Sequence, residues 1–229
     1  MSDDGQTYIQ AQGLRLDPAW RRRTDGQRHD DGCRLLEATA AAEVDGVRTI
    51  TYSSIGLEPG VDLLFWRMAP SMDVLENASA GLLRAGIGPW LTVSHSFLGR
   101  IGPSQYVRKP SDQEQSLFSG ERSRYLVVYP FTKSTDWYLL SKEARQGVMN
   151  EHMRVGHDYP MVRQALAYSF GLDSQDFVVA YETDDLVAFG DLVRALRATE
   201  SRRSTVSDSP ILLGVHRPLE EILTLLGAG

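Results

Sequence analysis

"RYLVVYPFTKSTDWYLLSKEARQGVMNEHM", residues 124–153, decides how the chain is read. Its opening alternates as a strand does: Tyr125, Val127 and Tyr129 share one face, Leu126 and Val128 the other. Pro130 and the polar run after it are expected to end the strand, which sets Tyr129 and Lys133 near its mouth. Ser141 has the chemistry of a helix N-cap, and Glu143 puts negative charge in the first turn, where the macrodipole favours it. Ala144, Val148 and His152 then recur at helical spacing with Met149 alongside, so His152 falls on an apolar stripe near the helix end.

The same alternation continues outward. Downstream, "VRQALAYSF" and "DFVVAYET" read as strands and "DDLVAFGDLVRALRATE" as an amphipathic helix. "SPILLGVH" is a closing strand and "PLEEILTLLG" a terminal helix. Upstream, the strand "QTYIQAQGLRL" leads into a helix from Pro18 to Ala42, which "RRRTDGQRHDDG" interrupts with charges and glycines. Strands "VRTITYSSIG" and "DLLFWRMA", split by the turn residues of "LEPGV", precede the helix "SMDVLENASAGLLRA" and the strand "PWLTVSHSFLGRI". Two strand–helix–strand–strand–helix–strand halves predict an α+β fold. They would be two ferredoxin-like modules packed sheet to sheet, a dimeric α/β barrel within one chain. The expected boundaries are residues 1–100 for the first module, 101–122 for a linker or loop, and 123–229 for the second.

Composition narrows the function. Apolar residues make up 42% of the chain and charged residues 24%, as in an ordinary soluble globular protein. A net charge of -6 argues against general nucleic-acid binding, because an anionic surface repels a phosphate backbone. Cys33 is the single cysteine, so neither an internal disulfide nor a thiolate metal cluster is available. The start, "MSDDGQTY", is acidic and polar, unlike a secretory signal, and no apolar run reaches the length of about 18 residues that spans a membrane. The expectation is a cytoplasmic protein. Neither a dinucleotide fingerprint, a phosphate loop, a zinc-protease helix nor a serine-nucleophile elbow occurs.

Among the histidines, His152 is either a satisfied core residue or a ligand, since an imidazole on a core stripe needs a partner or a metal. His157 is expected just past the helix, with Gly156 supplying a left-handed turn. His95 alternates with Val93 and Phe97 on a strand, whereas His29 and His216 lack telling neighbours. The acidic run Glu182 to Asp185 reads as N-cap and first-turn charge for the next helix, and "RALRATESRR" as a solvated face. Tyr129 is either an amphipathic edge residue or, beside Lys133, part of a rim suited to an anion or to one-electron chemistry.

From Arg124 through "YPFTKSTDWYLLSKEARQGVMNEHMRVGHDYPMVRQALAYSFGLDSQDF" and on through "VVAYETDDLVAFGDLVRALRATESRR", the sequence resembles the chlorite dismutase family, and within it the coproheme decarboxylases. The resemblance is strong over about residues 100–215, and before that only the strand–helix pattern agrees. It implies that His152, in the E-H pair at the helix end, is the axial haem ligand, and that Glu200 is the carboxylate bonding its other nitrogen. It implies that Tyr129 is the reactive tyrosine and Lys133 its companion. Gln164 would take the distal position, with Arg163 one residue away; a segment one residue shorter than in relatives would let a slip of register exchange them. In "SDQEQS" no distal histidine occurs, leaving Asp112 or Gln113 as substitutes. Arg108, Arg122 and Arg124 are candidate propionate anchors, and Trp137 a residue that packs on the porphyrin or in a core.

The implied chemistry is peroxide-dependent oxidative decarboxylation of two propionates of iron coproporphyrin III, which is substrate and redox cofactor at once, to give haem b in haem biosynthesis. A tyrosyl radical at Tyr129 would abstract hydrogen from a propionate, and loss of carbon dioxide would leave a vinyl group. The implied assembly is a homo-oligomer, a pentamer by analogy. Two other readings stand beside this one: a chlorite- or peroxide-degrading haem enzyme, which needs a distal arginine, and a non-catalytic haem- or porphyrin-binding relative.

Overall fold

The computed structural model describes residues 6–103, 106 and 120–229, and there the chain is a mixed α+β protein with antiparallel strands. It divides into two compact units, residues 1–101 with 213–229, and residues 102–212. Among the described residues, no helix is long and apolar enough to cross a membrane.

In the first unit β1 (Tyr8–Leu16) lies between β3 (Val61–Ala69) and β4 (Leu91–Arg100), and β2 (Arg48–Glu58) flanks β3. The order β4-β1-β3-β2 is antiparallel throughout, with α1 (Asp25–Val44) joining β1 to β2 and α2 (Met72–Arg84) joining β3 to β4. Local chemistry sets the helix starts. Ser71 caps α2, and Thr24 with Gln27 forms a reciprocal capping box on α1. The stretch expected to interrupt the first helix does so at its start, where a 3-10 turn at Pro18–Arg22 stops and Thr24 caps, whereas "DGQRHDDG" is not a break but the opening of α1. Gly32 belongs inside that helix because a Cβ there would come within 3.0 Å of the Cβ of Ala228.

That close approach reflects where the C-terminus goes. The boundary expected for the second module, 123–229, is corrected: Leu213–Gly229 belongs to the first unit. The closing strand, β9 (Leu212–His216), pairs with β2 through Tyr52 and Ser53. The terminal helix, which spans Leu219–Leu226, buries Leu219, Ile222, Leu223 and Leu226 in one cluster with Leu14, Trp20, Leu35, Leu63 and Phe65. Burial of a side chain of this size contributes roughly 1.5–3 kcal/mol, and four of them tie the segment to that core.

In the second unit β5 (Tyr125–Lys133) is followed by a short helix, α3 (Thr135–Leu139), and by α4 (Lys142–His157). β6 (Arg163–Tyr168), β7 (Phe177–Thr183), α5 (Leu186–Arg197), a 3-10 turn at Glu200–Ser204 and β8 (Thr205–Ser207) complete it. The order β6-β7-β5-β8 is again antiparallel. β5 continues through Pro130 to Lys133 rather than ending at the proline. Ser141 caps α4 as expected, accepting from the Ala144 N–H. His157 is not past the helix: α4 runs through it and Gly156 has no positive φ, because Asp158 closes the end with a right-handed turn.

Candidate functional site

The second unit's sheet has a face made by Tyr129 and Phe131 of β5, Phe177, Val179 and Tyr181 of β7, and Leu166 and Tyr168 of β6. Met149 and His152 of α4 and Val193 and Leu196 of α5 oppose it without filling the space between. Two cavities result, of about 130 Å³ and about 310 Å³, sharing Phe131, Lys133 and Met149 as walls. Accordingly none of the 16 residues of α4 is fully buried. The stripe that faces inward is Arg145, Met149 and His152, and the expected apolar stripe is corrected: Ala144 is exposed. A cavity rather than a packed core lies beneath the helix, so a long side chain with a charged head is tolerated there.

His152 lines the smaller cavity, and its Nδ1 is buried without a hydrogen-bond partner. Burial, and then the nearby Lys133 ammonium, push its pKa down to about 4, against a smaller opposing effect of Glu151. The imidazole is therefore neutral at pH 7, the form that ligates metals. Tyr129 is on the opposite wall, stacked on Tyr181 with ring centroids 6.0 Å apart, and the two phenols are hydrogen-bonded. Burial raises the Tyr129 pKa above its ordinary value, and the Tyr181 hydroxyl, donating to it, opposes that shift.

Lys133 is on the wall of both cavities. Its Nζ donates to the Ser201 carbonyl at 3.0 Å, to Ser201 Oγ at 3.0 Å and to Thr205 Oγ1 at 3.1 Å, and lies 4.7 Å from the Trp137 ring centre. All three ammonium protons are committed, so Lys133 is a fixed charge and not a movable anchor. Burial, with Arg202 adding repulsion, pushes its pKa down to about 8 from an ordinary 10.5. Between those values the unfolded chain binds more protons than the native one, so stability should rise with pH from 8 toward 10.5. Chemical unfolding at stepped pH between 8 and 9.5 should give a slope approaching ~1.4 kcal/mol per pH unit that Lys133→Met lacks; equal slopes would contradict a buried, depressed Lys133.

The structure brings Tyr129, Lys133 and His152 together and leaves three expected site residues elsewhere. Glu200 is corrected: its carboxylate is exposed and 3.5 Å from Arg203, its N–H donates to Glu151 Oε2, and no bond reaches His152 Nδ1. Arg124 is exposed, with its N–H on Asp184 and its guanidinium over Tyr125, away from both cavities. Gln164 pairs with Tyr181 in register and shares the face of Leu166 and Tyr168, although those two rather than Gln164 form the cavity wall. Arg163 points to the other face and bonds Ser123 Oγ and Glu182 Oε2, at 2.9 and 2.8 Å. Strand alternation thus separates the two candidates for the distal position. Arg122 also pairs with Glu182, at 3.5 Å. Arg108, Asp112 and Gln113 lie outside the described residues. Trp137 is buried and lines the larger cavity.

Sequence reasoning missed four charged residues on these walls. Arg145 lines the larger cavity, and Arg197, Arg202 and Asp208 line the smaller one. Helical spacing from His152 would have found Arg145, seven residues back; Asp208 carried no signal, sitting in a short connection after β8. Glu182 was also misread. Asp185 is the cap of α5, accepting from the Val187 and Ala188 N–H groups, whereas Glu182 is fully buried within β7.

The chlorite dismutase family profile matches residues 28–217, which is most of the chain. The chain belongs to the chlorite dismutase family. It is 29% identical over 184 residues to a coproheme decarboxylase of Mycolicibacterium smegmatis, covering 76% of this chain and 75% of that protein. A chlorite dismutase of Ideonella dechloratans is 27% identical, over 62% of this chain and 53% of its own length. Among solved structures, a mutant chlorite dismutase from Candidatus Nitrospira defluvii superposes with a TM-score of 0.87 at 27% identity, covering 96% of this chain and 95% of the other. Chlorite dismutase from the same organism in complex with imidazole matches equally, with a TM-score of 0.87 over 99% and 97% of the two chains at 27% identity.

Proposed function

We propose that the chain is a coproheme decarboxylase, a haem-dependent oxidoreductase that uses peroxide to decarboxylate two propionates of iron coproporphyrin III and yields haem b. The observation that carries this reading is His152, a neutral imidazole with an orphaned buried nitrogen on the wall of a cavity that Tyr129 and Lys133 also line. The residues present fit the group. α4 has no fully buried residue and overlies unfilled space, and three guanidiniums, of Arg145, Arg197 and Arg202, line the cavities and match carboxylates such as propionates in charge and geometry. Matching strand orders, β4-β1-β3-β2 and β8-β5-β7-β6, support reading both units as ferredoxin-like modules.

When bound, the iron porphyrin supplies the redox chemistry with peroxide. His152 would hold the iron from the helix side. Tyr129, held on the sheet wall by its hydrogen bond with Tyr181, would give one electron and its phenolic proton toward reduction of peroxide to water, then take a hydrogen atom from a propionate side chain. The radical left on that side chain would yield the second electron as carbon dioxide leaves and a vinyl group forms. Lys133 contributes a fixed positive charge on the wall of the same cavity. The chlorite-degrading reading requires a distal arginine, and Arg163 is committed to Glu182 on the other strand face, which favours the decarboxylase. The assembly of this reading is a homo-oligomer, a pentamer by analogy, which light scattering on the purified protein would test.

The test is to titrate the protein with ferric coproporphyrin III, add peroxide and follow products by mass spectrometry. Two successive decarboxylations are expected in the natural sequence. Tyr129→Phe should bind with unchanged affinity and lose product formation by about 100-fold or more, as expected when a group that acts in the chemical step is removed. Tight binding without product in the natural sequence would sink the decarboxylase in favour of a porphyrin carrier. Oxygen release from chlorite would point instead to the chlorite-degrading reading.

A further inference from the structure

We propose that Asp208 sets how many ligand carboxylates the smaller cavity accepts, by standing in for one of them on the Arg197–Arg202 guanidinium pair. The inference rests on the reading that the two adjoining cavities together take a porphyrin, and deepens it by naming what selects between porphyrins. Arg202 Nη1 donates to Asp208 Oδ2 at 2.6 Å, and Arg197 Nη2 lies 3.9 Å from the same oxygen. All three side chains line the cavity that Tyr129 and His152 share. An ion pair on an open surface would merit no further thought, because such pairs are worth little. This one sits on a cavity wall, where every charge is counted against the ligand.

The count is short. Lys133 has its three protons committed to Ser201 and Thr205, so on the wall of the smaller cavity the cations that can turn toward a ligand are Arg197 and Arg202. Against them stands one carboxylate, leaving a single positive charge for an incoming anion. Without the Asp208 carboxylate, two would remain. The pair is also exchangeable: the Asp208 side chain is 28% exposed, and those of Arg202 and Arg197 are 39% and 56% exposed. A ligand carboxylate can therefore take the place of Asp208 without first opening a closed core. These charges also bear on the reacting wall, where Asp208 pushes the Tyr129 phenol pKa up and both arginines pull it down.

Substrate and product of the proposed reaction differ in this respect. Iron coproporphyrin III is a tetracarboxylate and haem b a dicarboxylate, so a resident carboxylate weakens the first more than the second. Asp208 then weakens binding of the tetracarboxylate more than that of the dicarboxylate.

The experiment uses metal-free coproporphyrin III and protoporphyrin IX, so that ligation by His152 does not enter, and follows quenching of protein fluorescence in each titration. Asp208→Asn should tighten coproporphyrin III about tenfold or more relative to protoporphyrin IX, the scale expected when a like charge is removed from beside a carboxylate. Asp208→Ser, which keeps the connection short and polar, should do the same, so the result does not hang on one variant folding. Asp208→Glu should keep the natural ratio. Arg202→Gln, which leaves Asp208 with fewer partners, should shift the ratio the other way. A ratio unchanged in both Asp208→Asn and Asp208→Ser, or equal tightening of both porphyrins, overturns the proposal and leaves the porphyrin reading intact. Failure of the natural protein to bind either metal-free porphyrin overturns the proposal, and failure to bind ferric coproporphyrin III as well overturns the porphyrin reading.

Discussion

Replacing Glu182 by alanine is expected to lower the thermal midpoint of the ligand-free protein by roughly 6–12 °C, the shift that corresponds to about 3 kcal/mol in a chain of this size. Glu182 has no solvent exposure, and it accepts from Arg163 Nη2 at 2.8 Å with Arg122 Nη1 at 3.5 Å. The side chains of those arginines are themselves only 22% and 8% exposed. Forming such a pair gains little over an apolar packing of the same shape, since two charges must leave water. Removing one partner is the costly change, because it leaves two guanidinium charges without their carboxylate where water reaches them poorly. Glu182→Gln keeps the volume and one acceptor and should fall between the two. In a cycle with Arg163→Met, the second substitution should cost far less once Glu182 is gone. A midpoint shift under 2 °C in Glu182→Ala would mean that the carboxylate is solvated in solution, and would sink this account.

Glu182 also marks what was legible in the chain. Alternation in β5 and the Ser141 cap could be read directly, because pleat and cap chemistry act over a few residues. That Glu182 is buried could not, since the reason is Arg163, its register partner on the neighbouring strand β6. Without the strand pairing, an acidic run before a helix looks like capping charge throughout, and Asp185 alone meets that description. The His152 stripe failed for a related reason. Periodicity assumes that the inner side of a helix meets apolar core, but α4 meets a cavity, and its inward line carries Arg145. The terminal strand and helix were recognised as elements and assigned to the wrong unit, because hydrophobic spacing says that a face is buried and is silent on which core buries it. Tyr129, Lys133 and His152 were singled out by strand alternation and helical spacing, were given roles by resemblance, and stand on one cavity. Glu200 came by resemblance alone, and its exposed carboxylate does not reach the imidazole.

His152→Ala should abolish the Soret shift on addition of ferric coproporphyrin III, with a loss of affinity beyond the roughly 10–100-fold that removal of an outer-shell partner of a metal ligand costs. The same variant should bind metal-free coproporphyrin III about as well as the natural protein, because Tyr129, Met149, Arg197 and Arg202 still form the wall. The two titrations together separate a ligand from a packing residue: a packing role would weaken both porphyrins alike. Stability supplies the independent control. A satisfied core histidine loses hydrogen bonds when truncated, and its loss lowers the midpoint. Here Nδ1 is buried without a partner, so truncation removes an uncompensated desolvation cost, and the midpoint of the ligand-free variant should hold or rise. The folded chain keeps that costly imidazole on a cavity wall, which is intelligible if binding an iron porphyrin repays it. An unchanged Soret shift in His152→Ala would move the axial ligand elsewhere. A clear drop in the ligand-free midpoint would return His152 to the core.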